Sequence, residues 1–256
     1  MIRILSGLAL GAAALAAILW LPSFGLRVLA AAVAALASRE YIGILYQNAR
    51  PPHSLPLLAL VVVVCWGMSS PERGGLLALL VLGLGWLAVE VLFLGMTVDR
   101  AAARVLAAWY VGMPLGMLAA VHASAGRTAA LLLIATIVVS DSAQYYTGRR
   151  FGRRPLAPAI SPHKTVEGAI GGAALATLFI VLAGPAWLPG ARRPSLALLG
   201  VTIAVLGICG DLFESRLKRI AGVKDSSALI PGHGGVLDRL DALLFATPAF
   251  YLYVVS

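Results

Sequence analysis

The chain has 256 residues, of which 60% are apolar and only 12% are charged, and its formal net charge is +9. A soluble domain is about 45–50% apolar and about 25% charged, so this composition excludes a soluble enzyme, a disordered chain and a small secreted disulfide scaffold. It predicts an all-α, polytopic integral membrane protein. The basic excess fits cytoplasmic loops and anionic lipid headgroups, so we expect the lipid bilayer, and no nucleic acid, as a partner.

Apolar stretches separated by polar residues predict about nine transmembrane helices. In chain order they are expected at residues 4–21, 25–47, 55–70, 75–96, 104–123, 128–147, 166–186, 196–216 and 234–254. The first stretch resembles a signal peptide because Arg3 precedes an apolar run, but its length and the Pro22 that follows favour a retained helix.

The distribution of Lys and Arg predicts the orientation of these helices. With nine spans, the loops at 148–165 and 217–233 lie on the same side as the N-terminus, and this side holds most of the basic loop residues. The positive-inside rule makes that side cytoplasmic. We therefore expect a multi-pass protein of the cell membrane, plasma or inner, with its active site facing the cytoplasm.

Two regions with different tasks are predicted along the chain. Residues 1–130 are expected to form a scaffold of transmembrane helices with a possible dimer interface. Residues 131–256 are expected to carry the active site, because most of the acidic residues lie there. A charge at the centre of a membrane costs about 2.5–3.5 kcal/mol on insertion scales, so acidic residues within spans mark functional sites by default.

The eighth predicted span ends in a polar helical face. Asp211, Ser215 and Lys218 recur at helical spacing, so that this face becomes polar where the helix leaves the membrane. The ninth span begins after Gly234 and Gly235, whose backbone can turn tightly or approach a ligand closely.

Two carboxylates follow these glycines. Asp238 and Asp241 are three residues apart and share a face of the ninth span. Carboxylates together with Lys and Arg favour a site where a hard metal such as Mg²⁺ bridges phosphates, because Mg²⁺ takes oxygen ligands and cations neutralise the remaining phosphate charge. The alternative is that Asp238, Arg239 and Asp241 pair with one another and only anchor the helix.

The sixth span and the segment after it repeat this theme. Asp141 and Tyr145 share a helical face, and the segment 161–168 has the pattern of a helix start with Ser or Thr caps and Glu167 in the first turn. A helix N-terminus with Ser, Thr and Lys is suited to phosphate. The P-loop pattern is absent from the sequence.

These residues resemble a known family. The segment 215–241 follows the pattern S-x-L-K-R-x4-K-D-x-S-x2-I-P-x-H-G-G-V-x-D-R-L-D, which resembles the signature of the phosphatidate cytidylyltransferases, or CDP-diacylglycerol synthases. Residues 141–168 resemble the second landmark of that family, with His163 where Lys is more common. The first 130 residues resemble it only in hydropathy and in the polar pair Arg39-Glu40.

The resemblance implies that CTP and phosphatidate react to give CDP-diacylglycerol and pyrophosphate, with Mg²⁺ alone or with a second cation. It implies metal binding by Asp211 and Asp238, with Asp141 and Asp241 behind them, and catalytic roles for Asp211, Asp238, Lys224 and Arg239. It further implies that the substrate-binding residues are Ser161, Lys164, Thr165, Glu167, Ser215, Lys218, Arg219, Asp225, His233, Gly234 and Gly235. A homodimer is also expected by analogy with the family.

Two other functions remain as alternatives. A CTP-dependent lipid kinase would use the same phosphates and metal with a lipid alcohol as acceptor, and the complete 215–241 pattern argues against it. A secondary transporter of an anionic solute would suit charged residues within spans. The charges here cluster towards one membrane face, which argues against transport.

Overall fold

The computed structural model describes residues 2–46, 54–70, 75–230, 232 and 234–255 of a chain that is 82% helical. The predicted all-α class is therefore confirmed. Five helices form the first part: α1 (Ile2–Trp20), α2 (Ser23–Leu45), α3 (Ser54–Met68), α4 (Gly75–Leu92) and α5 (Val98–Ala107). Pro22 separates α1 from α2 because it occupies the N-cap of α2 in an extended conformation.

The longest helical segment contains a change of direction. A π-helical turn (Ala108–Gly112) joins α5 to α6 (Met113–Phe151), and Gly126 interrupts α6 with a φ of 83°. This interruption falls between the predicted fifth and sixth spans. A positive φ is strained for residues with a side chain, so glycine is suited to this break.

The last part of the chain contains a short hairpin and three helices. Strands β1 (Pro155–Ala157) and β2 (Ser161–Thr165) pair antiparallel and lead into α7 (Val166–Trp187). Helices α8 (Arg193–Ile220) and α9 (Leu237–Val255) follow. The hairpin was not predicted from the sequence, and the last helix begins three residues after its predicted start at residue 234.

Several of these helices are suited to a membrane by length and composition. Within the part of the chain that the structure describes, four helical segments are long and apolar enough to cross one: Ser23–Leu45, Val98–Phe151, Val166–Trp187 and Arg193–Ile220. Shorter apolar helices lie at Ser6–Trp20, Leu55–Met68 and Leu77–Leu92. These findings support an integral membrane protein, whereas the number of about nine spans stays a prediction.

The chain forms two compact units. The first consists of Met1–Ala120 and Ala221–Arg239, and the second of Val121–Ile220 and Leu240–Ser256. The core of the first unit contains a buried ion pair in which Arg104 Nε lies 3.0 Å from Glu90 Oε1. Trp86 donates a further hydrogen bond to Glu90, so the buried charge is compensated. The predicted division of tasks at residue 130 stays a prediction.

Small residues allow close helix packing in the second unit. A Cβ on Gly168 of α7 would lie 2.9 Å from the backbone oxygen of Gln144 in α6, and a Cβ on Gly172 would lie 2.9 Å from the backbone oxygen of Ser140. Side chains at these positions would separate the two helices. The glycines therefore hold the start of α7 against the part of α6 that carries Asp141, as small residues do in membrane helix pairs.

Candidate functional site

Five charged side chains approach one another within the second unit, and we refer to them as the acid–lysine cluster: Asp141, Lys164, Asp211, Lys218 and Asp241. They come from α6, β2, α8 and α9. Asp141 interacts electrostatically with Lys164 and Asp211. Asp241 interacts with Asp141, Asp211 and Lys218. The second unit thus brings together three of the four carboxylates predicted to bind metal.

Asp211 contacts a lysine of β2 and a serine of its own helix. Its carboxylate forms an ion pair with the ammonium group of Lys164 in β2, and Ser215 donates a hydrogen bond of 3.2 Å to its Oδ1. The bond to Ser215 confirms the predicted helical face of α8. Because Lys164 and Asp211 are both partly exposed, at 22% and 35%, water or a ligand can reach this pair.

Lys218 contacts a carboxylate that the sequence analysis did not single out. Its Nζ lies 3.1 Å from Oε1 of Glu214, one helical turn earlier in α8. The side chain of Glu214 is fully buried. The lysine compensates the buried charge of the carboxylate, since an unpaired buried charge is costly. This pair was not predicted, although the i, i+4 spacing of Glu214 and Lys218 in the sequence could have indicated it.

The start of α7 is capped as predicted. Thr165 is the N-cap, and its hydroxyl accepts a hydrogen bond of 3.1 Å from the backbone N–H of Gly168. Glu167 lies in the first turn and accepts hydrogen bonds from the backbone N–H groups of Arg153 and Arg154, at 2.9 and 3.1 Å. Ser161 lies in β2 and so does not cap the helix. The substrate roles given to these residues stay predictions.

A basic cavity lies at this junction between α6 and α7. Its volume is about 610 Å³, and its lining includes Arg150, Arg153, Arg154 and Glu167. Arg154 also forms an ion pair of 3.4 Å with Glu167. The three guanidinium groups outnumber the one carboxylate, so the cavity favours anionic groups.

In the first unit, Glu40 of α2 connects to the loop that precedes α9. Its Oε1 accepts hydrogen bonds from the Ser227 hydroxyl at 2.7 Å and the Val236 N–H at 3.0 Å. Its Oε2 accepts hydrogen bonds from the Ser226 hydroxyl at 3.0 Å and the Leu237 N–H at 2.7 Å. We call these four bonds the Glu40 clasp. The sequence analysis noted Glu40 as polar within a span but gave it no role.

Asp238 organises the same loop from the first turn of α9. Its Oδ2 accepts hydrogen bonds from the backbone N–H and the hydroxyl of Ser226, at 2.9 and 2.7 Å. The N–H of Gly235 donates to the same oxygen at 2.7 Å. Asp238 belongs to the first unit, and these hydrogen bonds hold Ser226 and Gly235 against the start of α9.

Glycine is required at positions 234 and 235 of this loop by these carboxylates. Gly234 has a φ of 79°, and a Cβ at this position would lie close to Oδ2 of Asp238. A Cβ on Gly235 would collide with the Ser226 hydroxyl and with Glu40 Oε2. The predicted tight turn is therefore confirmed. The close approach of this backbone to a ligand stays a prediction.

The remaining predicted site residues are exposed in this region. Lys224, Asp225 and Arg239 are exposed in the first unit, and Arg219 is exposed at the end of α8 in the second. His233 lies outside the described residues. Exposed basic side chains therefore flank the clasped loop on both sides, Lys224 before it and Arg239 after it.

The donor chemistry of the acid–lysine cluster fits Mg²⁺, because carboxylate oxygens are the ligands that this ion prefers. Across residues 2–46, 54–70, 75–230, 232 and 234–255, no group of three or more His, Cys, Asp and Glu side chains is arranged to hold a metal. The two observations agree, since Mg²⁺ is usually bound by about one or two carboxylates and completed by substrate phosphates and water.

The sequence of this chain is similar to a known protein family and to several curated proteins. A model described as the cytidylyltransferase family matches residues 1–256. The phosphatidate cytidylyltransferase of Haemophilus influenzae is 47% identical over 130 residues, which cover 48% of this chain and 45% of that protein. That of Aquifex aeolicus is 44% identical over 126 residues, covering 49% and 47%. The uncharacterized protein YnbB of Escherichia coli is 40% identical over 148 residues, covering 58% and 48%. The chain thus spans about half the length of these curated relatives.

Proposed function

The chain belongs to the cytidylyltransferase family, and on this premise we propose that it transfers the cytidylyl group of CTP to phosphatidate. The products are CDP-diacylglycerol, an activated precursor for phospholipid synthesis, and pyrophosphate. The observation that carries the proposal is the acid–lysine cluster, which combines Asp141, Asp211 and Asp241 with Lys164 and Lys218. Relatives named phosphatidate cytidylyltransferase support the choice of lipid substrate.

The proposed reaction needs positioning and charge neutralisation rather than a covalent enzyme intermediate. An oxygen of the phosphatidate phosphate attacks the α-phosphorus of CTP and forms a new P–O bond. The bond from the α-phosphorus to the oxygen bridging to the β-phosphorus breaks, and pyrophosphate leaves with that oxygen. Cationic side chains stabilise the charge that develops on the phosphates. Lys164, Lys218, Lys224 and Arg239 are the groups proposed for this task.

We propose that Mg²⁺ is ligated by about one or two carboxylates drawn from the predicted set Asp141, Asp211, Asp238 and Asp241, with substrate phosphates as the remaining ligands. Bound Mg²⁺ would supply Lewis-acid stabilisation of phosphate oxygens. The ion pair between Lys164 and Asp211 supports this assignment, because it places a cationic group beside this carboxylate. The basic cavity beside Glu167 supports binding of an anionic substrate to the same unit.

The membrane arrangement belongs to the same proposal. We propose about nine spans, an inner or plasma membrane location and an active site that faces the cytoplasm, where CTP is available. The four long apolar helical segments and the shorter apolar helices support the spans. A homodimer is proposed by analogy with the family.

A single labelling assay tests the proposed function. Purified protein is incubated with phosphatidate, Mg²⁺ and CTP that carries a label at either the α- or the γ-phosphate. We expect label from the α position in the lipid product and label from the γ position in pyrophosphate. Lipid labelled from the γ position would instead identify a kinase, and no labelled lipid from either position would contradict nucleotidyl transfer.

A further inference from the structure

We propose that Glu40 is a positioning residue for the loop 226–237, and that through this loop it sets the affinity for CTP. The inference rests on the proposed nucleotidyl transfer and adds a residue from α2, within the region expected to be scaffold. Its basis is the Glu40 clasp, in which both oxygens of one carboxylate accept hydrogen bonds from a distant part of the chain.

The burial of Glu40 shows that its charge is used within the fold. Its exposed fraction is only 8%, and it is the only acidic residue of the otherwise mainly apolar α2. A buried carboxylate is costly unless hydrogen bonds replace its water. Here each oxygen accepts a hydrogen bond from one backbone N–H and lies within hydrogen-bond distance of one serine hydroxyl, at distances between 2.7 and 3.0 Å. The single proton of the Ser226 hydroxyl is shared between Glu40 and Asp238, whereas Ser227 donates to Glu40 at 2.7 Å. Hydrogen bonds to an ionised acceptor are about twice as strong as neutral ones.

The four donors lie at the two ends of the loop. Ser226 and Ser227 begin it, whereas Val236 and Leu237 supply N–H groups where α9 starts. The first N–H groups of a helix have no partner within the helix and carry partial positive charge, so a carboxylate is favoured there. One side chain therefore fixes both ends of the loop and the N-terminus of α9 at once.

Glu40 is expected to affect CTP binding because two basic residues flank the loop that it holds. Lys224 lies two residues before Ser226, and Arg239 lies two residues after Leu237. Both side chains are exposed, and both are proposed to bind CTP phosphates. If the hydrogen bonds to Glu40 are lost, the positions of Lys224 and Arg239 relative to each other are no longer fixed. Small displacements of groups that position a substrate lower the reaction rate by large factors.

The test is Glu40→Gln, which keeps the length of the side chain but removes the charge and replaces one acceptor oxygen by a donor. We expect the KM for CTP to rise at least about tenfold, with the KM for phosphatidate within about threefold of wild type. We expect faster hydrogen exchange of the amides at 226–237, confined to this region. Glu40→Asp keeps the charge, so it should recover part of the CTP affinity.

Glu90→Gln is the matched control, because Glu90 is also a buried carboxylate of the first unit but pairs with Arg104. It should lower thermal stability and leave both the KM for CTP and the exchange of the loop near wild type. The proposal is overturned if Glu40→Gln alters these two quantities no more than Glu90→Gln does. Exchange can be measured without turnover, so this arm separates failure of the clasp from failure of the proposed function.

A double-mutant cycle links the effect to the bonds in the structure. Ser227→Ala removes one donor to Glu40, whereas Thr202→Ala removes a hydroxyl that bonds only within α8, to the backbone oxygen of Leu198. In the wild-type background we expect Ser227→Ala to raise the KM for CTP. In the Glu40→Gln background it should add little, because the interaction is already lost. Full additivity, as expected for Thr202→Ala, would contradict the clasp.

Discussion

Asp211 and Asp238 have different surroundings, although the resemblance gives them the same metal-binding role. Asp211 meets a cationic side chain, Lys164, and is one-third exposed. Asp238 meets backbone and hydroxyl donors through a single oxygen, Oδ2. At the scale of residues, the ion pair of Asp211 is accessible to a charged ligand. The second has a structural task as well, so its loss should affect the loop even without substrate.

Replacement of either aspartate by asparagine should lower turnover at least about a hundredfold, which corresponds to about 2.7 kcal/mol of lost transition-state stabilisation. Asp211→Asn removes the charge that pairs with Lys164, and Asp238→Asn weakens the acceptor of three hydrogen bonds. Turnover of CTP by purified, folded protein is the measurement. Asp99→Asn, at an exposed position in α5, is the control. Activity of either site variant within about threefold of wild type would contradict its metal role.

The exposed basic residues beside the loop should be sensitive to their chemical type and not only to their charge. A lipid-surface anchor tolerates exchange of Lys and Arg, whereas a phosphate ligand does not, because ammonium and guanidinium differ in reach and in geometry. We predict that Lys224→Arg and Arg239→Lys each lower kcat/KM for CTP at least about tenfold. Loss of one charge-assisted hydrogen bond, at about 1.5–3 kcal/mol, accounts for this size.

The control for these exchanges lies at the start of α8. Arg192→Lys and Arg193→Lys alter exposed residues that the positive-inside rule assigns to the other side of the membrane. These variants should keep kcat/KM for CTP near wild type after normalisation for protein amount. If the exchanges at 224 and 239 are equally silent, both residues are membrane anchors and the phosphate assignment is wrong.

At the scale of elements, the sequence predicted helices better than it predicted loops. Long apolar runs separate clearly from polar segments, so each predicted stretch coincides with helix, and the interruption at Gly126 falls between two of them. The hairpin of β1 and β2 was missed because its residues lack an alternating apolar pattern. Its last residue, Thr165, was nevertheless predicted as a possible cap, because capping depends only on neighbours in sequence.

The loop before α9 provides a test at the same scale. Gly235→Ala would place a methyl group against Glu40 and Ser226, so the Glu40 clasp has to open. We predict a loss of kcat/KM for CTP of at least about tenfold. Gly85→Ala in α4 is the matched control, because a Cβ there meets nothing within 4 Å and alanine is favourable in a helix. Equal activity of the two variants would show that the loop accommodates a side chain at position 235.

At the scale of the whole molecule, composition predicted the membrane class but not the way in which the chain divides. Residues Ala221–Arg239 belong to the first unit although they follow helices of the second. The bond from Ser227 to Glu40 spans 187 residues of sequence. A single acidic residue in an apolar helix indicates that a partner is needed, but it does not identify that partner. The site residues within segments 141–168 and 215–241 were easier to predict, because residues three or four positions apart in a helix share a face and can be recognised from the sequence alone.

The membrane topology determines on which side of the bilayer the two loops with predicted site residues lie. Two predicted spans, now α7 and α8, lie between the hairpin and the loop after α8, so both loops should face the cytoplasm whatever the exact number of earlier spans. We predict that Ala159→Cys and Ala228→Cys, each in a background with Cys65 and Cys209 replaced, react with an impermeant thiol reagent only from the cytoplasmic side. Ala191→Cys, between α7 and α8, should react only from the opposite side. Labelling of positions 159 and 228 from opposite sides would contradict the proposed orientation, because one substrate site could not then draw on both loops for the phosphates of cytoplasmic CTP.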